Sequence, residues 1–215
     1  MTPSFDSPIV AVQRTAAVLP SLQEAALTLM RGRKSSPVSV YLGLIDAVHA
    51  ADLRAEAALS FRTRFNGYYG VRRNAAWREA FYGAFEDMKA SDRSAPDLFD
   101  AGLRALHQRT GRVEASFVSK AVATLHPASP VIDKVLRDRF TNLTVAPQFG
   151  NGLEAALIYH RWLAEVMTLL AKTSQAQAWF GIYDDSFAGI PGAAGIHPVK
   201  KLDFLIWGGR AVGSA

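Results

Sequence analysis

Two stretches of the 215-residue chain carry the side chains with the widest chemical reach. The first, Ser116 to Arg139, reads SFVSKAVATLHPASPVIDKVLRDR. Lys120 lies in one helix-patterned segment, and Asp133 lies in the next, across a tight His126–Pro127–Ala128 connection. Ser129 is expected to cap the second helix with Pro130 at its first position. That puts Asp133 in the first turn, where the partial positive charge of a helix start favours an ionised carboxylate. Such a carboxylate can stabilise a sugar cation or activate water. A lysine amine desolvated against Phe117 and Val118 can form a Schiff base. The same spacing has a plainer explanation. Acidic residues favour first turns for stability alone, and Asp133 with Arg137, or Lys134 with Asp138, has the four-residue separation of a surface ion pair.

The second stretch is Phe61 to Arg78. It holds Arg62, Arg64, Arg72, Arg73 and Arg78 and no acidic residue, so its +5 equals the formal excess of the whole chain. Phe61, Phe65, Tyr68, Tyr69 and Trp77 are interleaved with the arginines. Guanidinium forks match phosphate oxygens, and aromatic faces stack on exposed bases. Arg62, Arg64, Arg72 and Arg73 are candidate phosphate contacts, with Tyr68 and Tyr69 candidate stacking residues. A core role for the rings, with the arginines on a solvated face, accounts for the run equally well.

Much chemistry is excluded. The chain has no cysteine, which removes disulfides, iron–sulfur clusters, cysteine–zinc sites and thiol nucleophiles. None of the five histidines (49, 107, 126, 160 and 197) has a partner three or four residues away, so no helical metal site is expected. Asp184 and Asp185 are adjacent and would point apart on a helix. There is no phosphate-binding loop and no nucleophile elbow, and no cofactor is expected. With 24 basic and 19 acidic residues the net charge is +5, which permits an anionic partner without requiring one. No run of eighteen apolar residues and no basic-then-apolar leader is present, so a cytoplasmic protein without a membrane span is expected.

The elements that must position these residues are helices. Apolar side chains recur at three and four residues from Ile9 to Leu19, from Leu22 to Met30, from Val38 to Leu53 and from Trp77 to Met88. The pattern continues from Leu98 to Leu106, from Val113 to Leu125 and from Leu153 to Ala171. Gly67 and Gly70 are expected breaks, Ser94 with Asp97 has capping-box spacing, Thr144 to Gly152 reads as a loop, and Asp184 to Ile196 reads as irregular. Pro198 opens a last short helix over Val199 to Trp207. No strand-like alternation persists. Eight to ten helices are expected in an all-α unit over residues 1–215. It has two possible lobes: N-terminal helices over about 1–60 and a core over about 61–215.

Pro130–Val131–Ile132–Asp133, followed by Val135 and two arginines, resembles the segment of helix-hairpin-helix DNA glycosylases that carries their essential aspartate. The preceding SFVSKAVATL resembles the second hairpin helix, where bifunctional members carry a catalytic lysine. This likeness covers about 25 residues. A broader one, to a group of uncharacterised bacterial proteins, spans about two thirds of the chain. It rests on the Ser116–Lys120 and Pro130–Asp133 motifs, on Tyr68 to Arg73 and on Lys200 to Trp207. The resemblance implies a two-lobed all-α fold holding DNA across its cleft, and excision of a damaged or mispaired base from an everted nucleotide. Asp133 would assist departure of the base, and Lys120, by attacking the sugar, would permit strand cleavage. The hairpin turn of that family grips a phosphate through glycine-flanked amides, whereas Thr110–Gly111–Arg112–Val113 supplies one glycine. The alternative is a non-catalytic helical module binding nucleic acid or protein.

Overall fold

The computed structural model describes residues 5–150 and 152–211. Among them the chain forms eleven α-helices, two single 3-10 turns and no strand. In order these are α1 (Pro8–Ala16), α2 (Leu19–Arg31), α3 (Pro37–Ala47), α4 (Leu59–Tyr69), α5 (Ala75–Lys89), α6 (Ala95–Thr110), α7 (Ala115–Leu125), α8 (Lys134–Leu143), α9 (Leu153–Leu170), α10 (Ser174–Ser186) and α11 (Pro198–Gly208). The fold is all-α, as the apolar periodicity indicates. Asn151, inside the expected Thr144–Gly152 loop, lies outside the described residues.

Local chemistry sets most boundaries. Ser7 and Ser36 cap α1 and α3, each followed by a proline at the first helical position, where the missing N–H costs nothing. Asn74 accepts from the Trp77 amide at 2.9 Å to start α5. Gly70 and Gly111 end α4 and α6 in the left-handed region, with φ of 64° and 69°. The Ser94 hydroxyl departs from the capping-box pattern. It donates to Asp97 at 2.6 Å instead of receiving a backbone amide.

Several boundaries differ from expectation, and α3 stops at Ala47, short of Leu53. Helix α4 runs straight through Gly67, because a glycine in αR geometry weakens a helix without ending it, and only the positive φ at Gly70 stops it. Helix α10 continues through Asp184 and Asp185 to Ser186. Helix α8 begins at Lys134 rather than near Pro130, so Asp133 is its cap and not a first-turn residue. The Ile132 amide donates to Ser119 Oγ on α7 at 2.8 Å, which holds the connection extended up to Asp133. Ser129 does not cap; its hydroxyl meets His160 Nε2 at 3.3 Å.

The buried side chains form one hydrophobic cluster that draws on all eleven helices. Phe61 and Phe65 of α4 interlock with Phe81, Tyr82 and Phe85 of α5. The N-terminal helices pack on the C-terminal ones: α1 lies against α9, and α2 against α11. The α2–α11 crossing is close. A Cβ added at Gly208 would stand 2.7 Å from Ala26 Cα, so glycine is what lets these backbones approach. Helix α11 also packs on α8, and its Lys200 and Asp203 share a cavity with Lys120 of α7. Among the described residues no helix is long and apolar enough to cross a membrane.

Candidate active site

Lys120 occupies the middle of α7 and Asp133 the start of α8. The bond from the Ile132 amide to Ser119 Oγ joins the residues immediately before each of them, and so fixes the two helices at this point. Ser119 is wholly buried, which shields that bond from water. Lys120 and Asp133 line the same cavity, of about 370 Å3. That lies toward the small end of ligand pockets, which run from about 300 to 1,000 Å3. Its walls also include Tyr68, Tyr69, Lys200, Asp203, Phe204 and Trp207.

Each charged group here has a defined environment. Lys120 is 9% exposed, donates to the Tyr69 carbonyl at 3.2 Å, and lies 5.1 Å from the Phe117 ring centroid. Burial pushes its ammonium below the usual lysine range, with Asp133 and Asp203 opposing. The half-buried Asp133 carboxylate accepts the Leu136 amide at 2.8 Å. Burial and then the nearby Asp203 raise its pKa above the ordinary carboxyl value, against that hydrogen bond and the two lysines. Lys200 and Asp203 form a buried ion pair one helical turn apart. The Lys200 ammonium is boxed by rings, 4.9 Å from the centroids of Tyr41 and Phe204 and 5.6 Å from that of Tyr68. Burial alone would depress it, but Asp203 outweighs that and holds it well above the usual range. Burial likewise raises the Tyr68 and Tyr69 phenols, which stay protonated.

Lys200, Asp203 and Trp207 fall within the Lys200–Trp207 motif of the sequence, which assigned them no functional role. The available signal was their spacing: 200, 203, 204 and 207 repeat at three and four residues, a stripe bearing two of the three charges of a largely apolar helix.

The arginine-rich stretch does not act as one surface. Arg73 donates to both oxygens of Glu114 at 3.0 Å and lies against Trp77 and Phe117. Arg62 donates to the Ala55 carbonyl and covers Tyr82. The Arg64 guanidinium is laid over Gly43 of α3, where a Cβ would meet it at 2.1 Å. Arg72 is exposed. Tyr68 and Tyr69 face the cavity of Lys120 and Asp133, and pack edge to face with centroids 4.6 Å apart. The surface ion pair Lys134–Asp138 forms. Arg137 instead lies 4.6 Å over Phe149 and leaves Asp133 to the cavity.

The arrangement supplies an amine biased toward its neutral, nucleophilic form, a carboxylate poorly solvated for its charge, and a second, closed ion pair. Among the described residues no group of three or more His, Asp or Glu side chains could hold a metal ion. No protein-family model, no curated protein and no solved structure matches the chain.

Proposed function

We propose that this protein binds DNA and excises a damaged or mispaired base, taking the everted nucleotide into the Lys120–Asp133 cavity. The observation that carries the reading is the meeting of those two side chains in one small, aromatic-walled pocket. As the N-glycosidic bond breaks, its electron pair leaves with the base and positive charge develops at C1′ of the sugar. A carboxylate stripped of solvent gains more from that nascent cation than a hydrated one would, which is stabilisation specific to the transition state. The Lys120 amine, once it has given up its ammonium proton, bonds to C1′; a proton passes from its nitrogen to O4′ as the sugar ring opens, giving a Schiff base. Loss of a C2′ proton then expels the 3′-phosphate and cleaves the strand, and water finally hydrolyses the imine. Where water attacks C1′ in place of the amine, an abasic site forms without strand cleavage.

The test is a panel of duplexes carrying deaminated, oxidised and alkylated bases, scored for abasic-site formation, with borohydride trapping run in parallel. Base release is expected from at least one lesion, with a covalent adduct that disappears in Lys120→Ala. Release without an adduct restricts the reading to simple hydrolysis. Absence of release from every duplex by folded protein rejects the enzyme, and a non-catalytic DNA-binding module takes its place.

A further inference from the structure

The mouth of the cavity lies between the α2–α3 loop and the outer end of α11. Arg33, Lys34 and Ser35 line it from one side and Trp207 from the other. Arg33 and Lys34 are exposed, and neither makes an ion pair among the described residues. The Arg33 guanidinium lies 4.8 Å from the Trp207 ring centroid, and that of Arg210 lies 4.1 Å from the same centroid. Helix α3 starts here as well. Ser36 caps it and Pro37 lines the cavity, so the helix presents its positive end to the same opening. The starts of α8 and α11 converge on the cavity through Asp133 and Lys200. In all, four basic side chains face two acidic ones, and inside the mouth the buried Lys120 ammonium donates to the Tyr69 carbonyl and lies against the rings of Phe117 and Tyr69.

The start of α7 presents the opposite polarity. Glu114 precedes it, 7% exposed, held by Arg73 at 3.0 Å and by Arg112 at 3.9 Å. A carboxylate fixed at that helix mouth repels phosphate.

We propose that Arg33, Lys34 and the first turn of α3 anchor the backbone phosphate beside the everted nucleotide, at the mouth of the cavity rather than at the α6–α7 turn. This rests on the DNA-binding reading above and says where the strand enters. The anchor fixes the polynucleotide at the rim, and the base then reaches inward past Trp207 toward Lys120 and Asp133.

The experiment measures binding to a duplex bearing a tetrahydrofuran abasic-site analogue, by fluorescence anisotropy, across about 50 to 200 mM salt. Each phosphate neutralised contributes a slope of about −0.9 in log K against log salt. The double variant Arg33→Ala/Lys34→Ala should therefore bind more weakly, with a slope shallower by about two. Over that range the wild type should lose about 12-fold more affinity than the variant. Arg93→Ala/Lys172→Ala removes the same charge from exposed positions elsewhere and should keep the wild-type slope. An unaltered slope in the first variant, an equal change in the second, or no duplex binding at low salt overturns the proposal. So does competition by nucleoside 5′-monophosphates at concentrations comparable to the duplex, which would make this a free-nucleotide pocket. Base release is scored separately. A slope change without release rejects the excision chemistry and keeps the anchor; release with an unchanged slope does the reverse.

Discussion

Asp133 performs two tasks that substitution can separate. Its Oδ1 caps α8 through the Leu136 amide at 2.8 Å, and its charge faces the cavity. Asparagine retains the capping oxygen and ranks with aspartate as an N-cap, whereas alanine forfeits the bond at a cost of about 1 kcal/mol. For a chain of this length about 1 kcal/mol corresponds to about 2–4 °C in Tm. Asp133→Ala should therefore melt lower by about that much, and Asp133→Asn should melt no lower than the wild type at pH 7. The sign at pH 7 follows from the raised carboxyl pKa. The native state holds this proton more tightly than the unfolded chain, so the contribution of Asp133 to stability falls as pH rises from the unfolded value near about 4 through the native one. Asparagine escapes that loss, and its relative advantage should vanish below about pH 4. Base release should nevertheless be abolished in Asp133→Asn. The assay is a pair of melting curves at pH 7 and pH 3.5 beside an abasic-site assay on the same preparations. Equal melting of the Asn and Ala variants would refute the capping role, and release retained by Asp133→Asn would refute the catalytic one.

Asp203→Asn strands the Lys200 ammonium in a site 5% exposed, and breaking a buried pair from one side costs about 3–5 kcal/mol. Chemical denaturation should show that loss and a smaller one for Lys200→Met/Asp203→Leu; a double variant worse than the single would contradict it. His160 is 1% exposed and stacks on Phe99, and burial, with Arg161 adding to it, pushes its pKa down to about 3. Because the unfolded ring protonates near about 6.5, stability should fall between those pH values by an amount on the order of 4 kcal/mol. Urea unfolding at pH 7 and pH 4 should show a shallower fall in His160→Phe, and equal slopes would refute the assignment. Gly208→Ala drives a Cβ to 2.7 Å from the Ala26 backbone and should cost about 1–3 kcal/mol. Gly181→Ala meets nothing within 4 Å and should be neutral or stabilising by thermal melting.

The helices were legible because their signals are local. Pro198 opens α11 and Gly70 ends α4 where the sequence placed them, and apolar spacing carries the helices between. Lys120 and Asp133 were legible for a related reason, since they lie on consecutive helices joined by a short connection. What escaped was whatever depends on contact across the fold. Ser119 reads as one more small residue of α7 until the Ile132 amide, 13 positions on, arrives at its hydroxyl. Arg73 reads as a free cation until Glu114, 41 residues away, takes both of its bonds. Lys200 and Asp203 reach the cavity through the packing of α11 on α2, α8 and α10, which no nearby spacing encodes. The position of Asp133 was misjudged by one helical boundary, since the competing Ser119 acceptor is invisible along the chain.

The close crossing at Ala26 and Gly208 also bears on how this protein can be shortened. The opening helices are bolted to the very segment that delivers two of the six charges around the cavity. A chain trimmed of its first thirty residues would expose the back of that segment to water and free it to drift, so ligand affinity and cooperative melting should be lost together. The proposed excision should therefore be absent from any fragment that begins after the second helix.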